Sequence, residues 1–173
     1  MEKKLVCNAS TTIHLAKLSI IETVVSQFES YMISEKVYEE SVMKAKPKYG
    51  DAYVTEGLVK KGMIIVKAVK NQVLVKKLAE DFNVGEGEAE TVALFLQEKA
   101  SILATNDGRA IMACEIMGIP YTTSVSLIAY FAQKKPLSRQ KALEALDALE
   151  KECWINKSIV LEAKNKVRGI HLE

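Results

Sequence analysis

The chain has 173 residues, of which 49% are hydrophobic and 27% are charged, the balance of an ordinary globular protein. This length predicts a single domain, residues 1–173, that can bury a core without disulfides or structural metals. A net charge of +2 does not by itself indicate a nucleic-acid-binding protein. It does not exclude one either, because acidic residues gathered at a site would hide a basic rim in the total.

Cysteine content and apolar runs predict a soluble protein of the cytoplasm. Cys7, Cys114 and Cys153 are odd in number and widely spaced, which favours a reducing compartment over a disulfide framework. Cys7 and Cys114 lie among apolar residues, as core cysteines do. Met1 leads into EKKLVC without a signal peptide, and no apolar run approaches the about 18 residues that a membrane span needs.

The first half of the chain alternates short apolar runs with segments of helical periodicity. The predicted strands, recognised by apolar or β-branched content, are 3–8, 30–34 and 63–69. The predicted helices are 9–18, 20–28, 34–45, 51–62 and 72–82. Ser34 is suited to cap the helix that follows it, Pro47 and Gly50 interrupt the chain, and Gly62 ends a helix.

The second half continues the alternation and closes with helices. A helix enters through VGEGEAETVALFLQ, residues 84–97, and the strands that follow are 100–105 and 119–123, on either side of a helix at 110–118. The closing helices are 124–135, 138–152 and 156–167, with Ser138 and Asn156 as caps. This pattern predicts a three-layer α/β/α sandwich with a mainly parallel sheet of four or five strands. Its helical C-terminal portion packs on it from about residue 137.

Polar side chains follow two of the predicted strands. Asn8 and Ser10 come after the first, and Asn106 and Asp107 come after the strand at 100–105. Ligands of open parallel sheets bind beyond the carboxyl ends of the strands, so these residues are candidates for a site. The intervening helices bring acids toward the same edge: Glu39 and Glu40 on one, Glu86, Glu88 and Glu90 on the other.

Each acid also has a purely structural explanation. Asp107 can form a turn and cap the next helix, Glu40 can be a solvated helix residue, and the acids of GEGEAE can interact with a helix dipole. Together, however, three separate segments deliver carboxylates toward one edge of one sheet. Like charges gathered there would repel one another and need a cation. Oxygen ligands of this kind select Mg²⁺ or Mn²⁺ rather than zinc.

Other chemistries have little support in the sequence. His14 and His171 lack a cysteine or second histidine at ligand spacing, and structural roles are favoured for both. No G-x-S-x-G motif is present, and neither a Walker nor a dinucleotide fingerprint appears. A phosphatase or nucleotide-binding α/β protein is therefore a weaker interpretation, because no phosphate-cradling loop is visible.

Several stretches together resemble a PIN domain, a small α/β/α nuclease fold. The matching stretches are, in order, LVCNASTTIHLAKL, ISEKVYEESV, VGEGEAETVALFL and ILATNDGRA, followed by MGIPYTTSVSLIAYFAQKKPLS. The similarity is strongest to the prokaryotic and archaeal branch whose members contain a G-E-A-E helix entrance. It spans residues 1 to about 165, and it is the order and spacing of the motifs that make it specific.

The resemblance implies which residues form the acidic site. The four acidic positions of the family fall on Asn8, Glu40, Glu88 and Asp107, and the small hydroxyl residue that follows the first acid falls on Ser10. Asn8 departs from the family pattern. Its amide oxygen can ligate a hard cation, but it brings no charge and cannot act as a base.

Glu88 is then the acid of GEGEAE that faces the site. It shares a helix face with Thr91, Val92 and Phe95. Glu86 and Glu90 are expected to interact with the helix dipole and solvent, with Glu86 within reach of the site as an auxiliary residue.

The family resemblance implies a metal-dependent nuclease that acts on single-stranded or structured RNA. Glu40, Glu88 and Asp107 would be catalytic and, with Asn8, would hold one or two Mg²⁺ or Mn²⁺ ions. Basic residues at the rim would hold the phosphate backbone, and by placement these are Arg109, Lys134 and Lys135.

A second hypothesis comes from the neutral side chain of Asn8. The chain would then be a catalytically impaired PIN-like domain that binds RNA or a protein partner without efficient cleavage. Family association also suggests the toxin of a toxin–antitoxin pair, with an antitoxin protein as partner, and a homodimer. The apolar stretch SLIAYFA is compatible with self-association and equally with a core helix.

Overall fold

The computed structural model describes residues 3–46, 49–152 and 155–169. The chain divides into two compact units, residues 1–122 and residues 123–173, each of which is described by itself. The prediction that residues 1–173 form one domain, with helices from about residue 137 packed on it, stays a prediction. Three residues named in the sequence analysis lie outside the described residues: Pro47, Cys153 and His171.

A five-stranded sheet lies at the centre of the first unit. The strands are β1 (Lys4–Cys7), β2 (Ser30–Ser34), β3 (Ile64–Lys67), β4 (Ile102–Ala104) and β5 (Tyr121–Thr122). Their order is β3-β2-β1-β4-β5, and every neighbouring pair is parallel. Successive strands are added on one side of β1 and then on the other, so the topological switch point lies between β1 and β4. Open α/β sheets bind ligands at this point.

Helices of the first unit connect the strands. They are α1 (Ala9–Lys17), α2 (Ile21–Val25), α3 (Glu35–Tyr38), α4 (Asp51–Lys60), α5 (Gln72–Phe82), α6 (Glu86–Glu98) and α7 (Gly108–Met117). Because all five strands are parallel, the chain must return across the sheet between successive strands, and the helices in these connections cover its two faces.

Side chains at alternate strand positions point to opposite faces of the sheet and pack against different helices. On one face, Val6, Met32 and Leu103 pack with residues of α5, α6 and α7 in one buried cluster. On the other face, the Tyr31 hydroxyl lies 3.2 Å from the Thr12 hydroxyl of α1. The predicted three-layer α/β/α sandwich with a parallel sheet is therefore confirmed.

The helix predicted over 34–45 has a different form. Helix α3 begins after the predicted cap, since the Ser34 side chain accepts a hydrogen bond from the Val37 N–H, and continues as a π-helical turn, Glu39–Met43. In this turn the Lys44 N–H bonds to the Glu39 carbonyl five residues earlier. The Ser41 hydroxyl donates to the Val37 carbonyl at 2.6 Å and so competes with the backbone N–H for that acceptor. Such turns are frequent at functional sites.

The second unit consists of α8 (Ser124–Lys134), α9 (Arg139–Glu152) and α10 (Lys157–Arg168), which pack against one another. Leu146, Leu149 and Val160 are fully buried. The predicted caps are present: the Ser138 hydroxyl accepts from the Lys141 N–H, and the Asn156 side chain accepts from the Ser158 N–H. The predicted helical C-terminal portion is confirmed.

The described cysteines and helices also bear on the composition-based predictions. Cys7 and Cys114 are buried free thiols, as expected of core residues, and burial raises the pKa of each to about 11. Among residues 3–46, 49–152 and 155–169, no helix has the length and apolar character needed to cross a membrane.

We predict that Leu94→Ala lowers the free energy of unfolding by about 2–5 kcal/mol, because Leu94 is fully buried where α6 meets the sheet. The matched control is Leu96→Ala in the same helix, where the side chain is 40% exposed and the expected loss is below about 1 kcal/mol. Urea denaturation followed by circular dichroism measures both values. Equal losses for the two variants would contradict this description of the core.

Candidate functional site

The ends of β1 and β4 are joined by a side-chain hydrogen bond at the switch point. Asn8 follows β1 and is fully buried, and its Nδ2 donates to Thr105 Oγ1, after β4, at 2.9 Å. The parallel register places Cys7 beside Ala104, so the next residue of each strand also lies side by side. The hydrogen bond therefore fixes the two strand ends at the point where the order of strand addition reverses.

The amide oxygen of Asn8 is engaged as well. Oδ1 accepts from the Thr11 N–H at 3.0 Å and from the Ser10 hydroxyl at 3.1 Å, so Asn8 is also the N-cap of α1. A carbonyl oxygen has two lone pairs, and both have donors here. To ligate a cation, Asn8 would have to release one of these hydrogen bonds. The role of Asn8 as a metal ligand stays a prediction.

Asp107 caps helix α7. Its Oδ1 accepts from the N–H groups of Arg109 and Ala110 at 3.0 and 2.8 Å, and its own N–H donates to Thr105 Oγ1 at 3.2 Å. The capping role considered from the sequence is thus present. The capping hydrogen bonds use Oδ1, so Oδ2 is the atom through which Asp107 would bind a ligand.

Glu40 and Glu88 form a pair of carboxylates. Glu40 lies in the π-helical turn and Glu88 in the first turn of α6, and both side chains are partly buried. Burial raises the pKa of Glu40, and the negative charge of Glu88 raises it further, while Lys36 and Lys44 oppose the shift. The two carboxylates are therefore close enough to repel each other in a partly desolvated place.

Both carboxylates lie against glycines at the start of α6. A Cβ added to Gly87 would be 2.7 Å from Glu40 Oε2, and a Cβ added to Gly85 would be 2.6 Å from Glu88 Oε2. The N-terminal turn of a helix carries free N–H groups and a partial positive charge, which favours carboxylates there. The position of the pair on α6 therefore offsets part of its repulsion.

The remaining acids of this region are committed to other partners. Glu86 Oε2 forms an ion pair with Lys36 Nζ at 2.7 Å, and Glu39 pairs with both Lys36 and Lys44. The expectation that Glu90 faces solvent is wrong, because Glu90 is only 8% exposed. Its Oε2 accepts from the Lys36 N–H at 3.3 Å and so binds the first turn of α3. Glu86 stays an exposed auxiliary candidate.

The predicted site residues fall into two groups. Glu40 and Glu88 both lie against the start of α6, while Asn8 and Asp107 bond to Thr105 at the strand ends and Ser10 bonds to Asn8. In the part of the chain that the structure describes, no three His, Cys, Asp or Glu side chains are grouped as a metal site. The catalytic and ligand roles of these residues stay predictions.

The carboxylate pair nevertheless has the chemistry that Mg²⁺ requires. Mg²⁺ commonly binds through one or two carboxylates together with water and substrate phosphates. Within residues 3–46, 49–152 and 155–169, neither Glu40 nor Glu88 forms a hydrogen bond or ion pair through its carboxylate, which leaves their oxygens available. The two residues therefore fit a hard divalent cation.

Four further side chains complete the surroundings of the site. Arg109, predicted at the rim, donates from Nη1 to the Asn83 carbonyl at 2.7 Å and so links α7 to the turn before α6. Asn106 Nδ2 lies 3.0 Å from Thr11 Oγ1 and 3.2 Å from His14 Nδ1. Burial, and then the charge of Lys17, lower the pKa of His14, which favours a neutral ring that can accept this bond.

Thr105 and Lys36 are the residues that the sequence did not identify. Thr105 Oγ1 accepts from both Asn8 and Asp107, and Lys36 binds two of the acids around Glu40. The predicted strand 100–105 includes Thr105, whereas β4 ends at Ala104, so Thr105 in fact occupies the same position after its strand as Asn8 does after β1. Nothing in the local sequence distinguishes Lys36 from other helix lysines.

Comparison with known proteins supports a family assignment. A family model described as PIN domain matches residues 4–168, which include every candidate residue of the site. Comparisons with curated proteins and with solved structures give no match.

The raised pKa of Glu40 leads to a prediction about stability and pH. The folded state disfavours the charge of Glu40, so its contribution to stability is fully present below its ordinary pKa of 4.5 and is lost as pH rises through the raised value. We therefore expect Glu40→Gln, without divalent cations, to raise the urea midpoint at pH 7. The difference from the unmodified chain should disappear near pH 4.

Glu39→Gln is the matched control, with the opposite sign. Hydrogen bonding to Lys44, together with the charges of Lys36 and Lys44, lowers the pKa of Glu39. Its charge therefore stabilises the fold above 4.5, and its removal should lower the midpoint at pH 7, with a smaller effect as pH falls. Shifts of the same sign for both variants at pH 7 would refute this description of Glu40.

Proposed function

The chain belongs to the PIN domain family, which has a nuclease-type fold, and we propose that it hydrolyses phosphodiester bonds in RNA with the help of Mg²⁺ or Mn²⁺. The observation that carries the proposal is the pair formed by Glu88 of α6 and Glu40, whose carboxylate lies against the first turn of α6. Within the described residues the pair has no hydrogen-bond donors, and partly buried carboxylates of this kind are costly unless a cation neutralises them.

Glu40 and Glu88 would hold the cation, and Asp107 would contribute Oδ2 from the strand-end group. A divalent cation bound there supplies positive charge for the phosphate and polarises an attacking water. Asn8 and Thr105 hold the ends of β1 and β4 together at the switch point, and Asp107 fixes the start of α7. Lys36, already bound to Glu86 and Glu39, adds a positive charge beside Glu40.

A catalytically impaired domain is the alternative, and the hydrogen bonds of Asn8 favour it. The amide brings no charge, and both lone pairs of its oxygen are occupied by donors of the protein. Such a domain would bind RNA or a protein partner without efficient cleavage. Action as the toxin of a toxin–antitoxin pair, binding of an antitoxin, a homodimeric state and a cytoplasmic location stay predictions.

We predict that the chain cleaves mixed RNA in Mn²⁺ and that Glu40→Gln, Glu88→Gln and Asp107→Asn each reduce the rate. Loss of a residue that supports a metal ligand typically reduces activity by about ten- to a hundredfold. Loss of a direct ligand should reduce it at least this much. Gel analysis of initial rates measures the effect. Glu22→Gln, an exposed acid of α2, is the control expected to retain the full rate. Equal cleavage by all variants would assign the activity to a contaminant.

Asn8→Asp separates the two hypotheses. The carboxylate can keep the Thr11 and Ser10 hydrogen bonds, and the Thr105 hydroxyl can rotate to donate where it now accepts. If the domain is impaired by the missing charge, cleavage in Mn²⁺ should rise by at least about tenfold. The urea midpoint without metal should fall, because a fully buried amide is replaced by a charged group. An unchanged rate from an active original chain would show that the amide is already accommodated in a working site.

A further inference from the structure

The two glycines of GEGE each face a carboxylate of the proposed site. The three nearest atoms to a Cβ on Gly87 all belong to the Glu40 carboxyl group: Oε2 at 2.7 Å, and Cδ and Oε1 at 3.2 Å each. A Cβ on Gly85 would lie 2.6 Å from Glu88 Oε2. The Glu40 carboxyl group therefore lies over the backbone of Gly87, in the volume that any other residue would fill.

Backbone conformation does not explain these glycines. Gly85 is the N-cap of α6 with a φ of −66°, and Gly87 is a helical residue without positive φ. Any L-residue can adopt such angles, whereas glycine lowers helix stability relative to alanine. Space for a neighbouring group is the remaining reason for glycine, and at position 87 that group is the carboxylate of Glu40.

Glu40 belongs to the π-helical turn that follows α3, and not to α6. Helix α3 packs against α6, and the turn Glu39–Met43 continues α3 with a wider ring closed by the bond from the Lys44 N–H to the Glu39 carbonyl. The wider turn changes the direction of the residues it contains relative to a regular helix. The Glu40 side chain thus extends from this turn toward α6, and its carboxyl group lies where a Cβ of residue 87 would otherwise be.

We propose that Gly87 is a positioning residue, which holds the Glu40 carboxylate beside Glu88 by leaving its own Cβ position empty. Gly85 has the same relation to Glu88. The inference deepens the proposed function, because the pair it positions is the proposed cation site. Its geometric part, the occupation of the Gly87 Cβ position by Glu40, does not depend on that function.

Gly57 provides a matched control within the same unit. It lies inside helix α4, and a Cβ added there would meet nothing within 4 Å. Gly57→Ala should therefore raise the urea midpoint through the higher helix preference of alanine. In the original chain at pH 7, Gly87→Ala should raise the midpoint by more than Gly57→Ala, because the new methyl group moves the Glu40 carboxylate, the end of a flexible side chain, away from Glu88 and lessens their repulsion.

A double-mutant cycle without metal tests the geometry. In the Glu40→Ala background the obstructing carboxyl group is gone, and Gly87→Ala should then raise the urea midpoint as Gly57→Ala does. Gly57→Ala should give the same gain in both backgrounds. If Gly87→Ala instead raises the midpoint equally with and without Glu40, the carboxylate does not occupy this volume and the proposal is overturned.

Binding of Mn²⁺ to the full chain, measured by electron paramagnetic resonance of the free ion, tests the positioning role. We expect Gly87→Ala to weaken binding by about ten- to a hundredfold, as loss of a supporting residue does, and Gly57→Ala to leave it unchanged. Unchanged binding by Gly87→Ala would overturn the role. If the original chain itself bound no Mn²⁺, the proposed function would fail, while the metal-free cycle would still decide where Glu40 lies.

Discussion

Repulsion between the carboxylates of Glu40 and Glu88 is the constraint around which this region is built. Burial of the Glu40 carboxylate, and then the like charge of Glu88, raise the free energy of the folded state, as the raised pKa of Glu40 reflects. Several neighbouring features lower that cost. The pair lies against the positive end of α6, and the charges of Lys36 and Lys44 oppose the rise in the pKa of Glu40. A fold that retains such a pair keeps a place where a cation is favoured.

The strand ends show a different arrangement, in which polar side chains are hydrogen-bonded to one another and to helix N-termini. Asn8 forms three side-chain hydrogen bonds, to Thr105, Ser10 and Thr11, and Asp107 caps α7. These bonds tie β1, β4 and the helices that follow them into one rigid edge at the switch point. An amide serves this purpose without burying a negative charge at the strand ends.

The three acids of GEGEAE each interact with a different partner. Glu86 forms an ion pair at the surface, Glu88 joins Glu40, and Glu90 is buried against the backbone of α3. The bond from Lys36 N–H to Glu90 and the ion pair from Lys36 Nζ to Glu86 hold α3 to α6 at two points. The position of Glu40 therefore depends on acids that are not themselves part of the carboxylate pair.

The sequence by itself determined the parallel α/β/α sandwich, the helix caps at Ser34, Ser138 and Asn156, and the presence of polar residues at the strand ends. These features follow from local periodicity and from hydrogen bonds between residues close in the chain. Only the tertiary structure decided which acids meet, that Glu90 is buried, and that a π-helical turn carries Glu40. Such outcomes depend on the close approach of α3 and α6, which lie far apart in sequence, and side chains that alternate along one short helix give no local sign of which partner each will find.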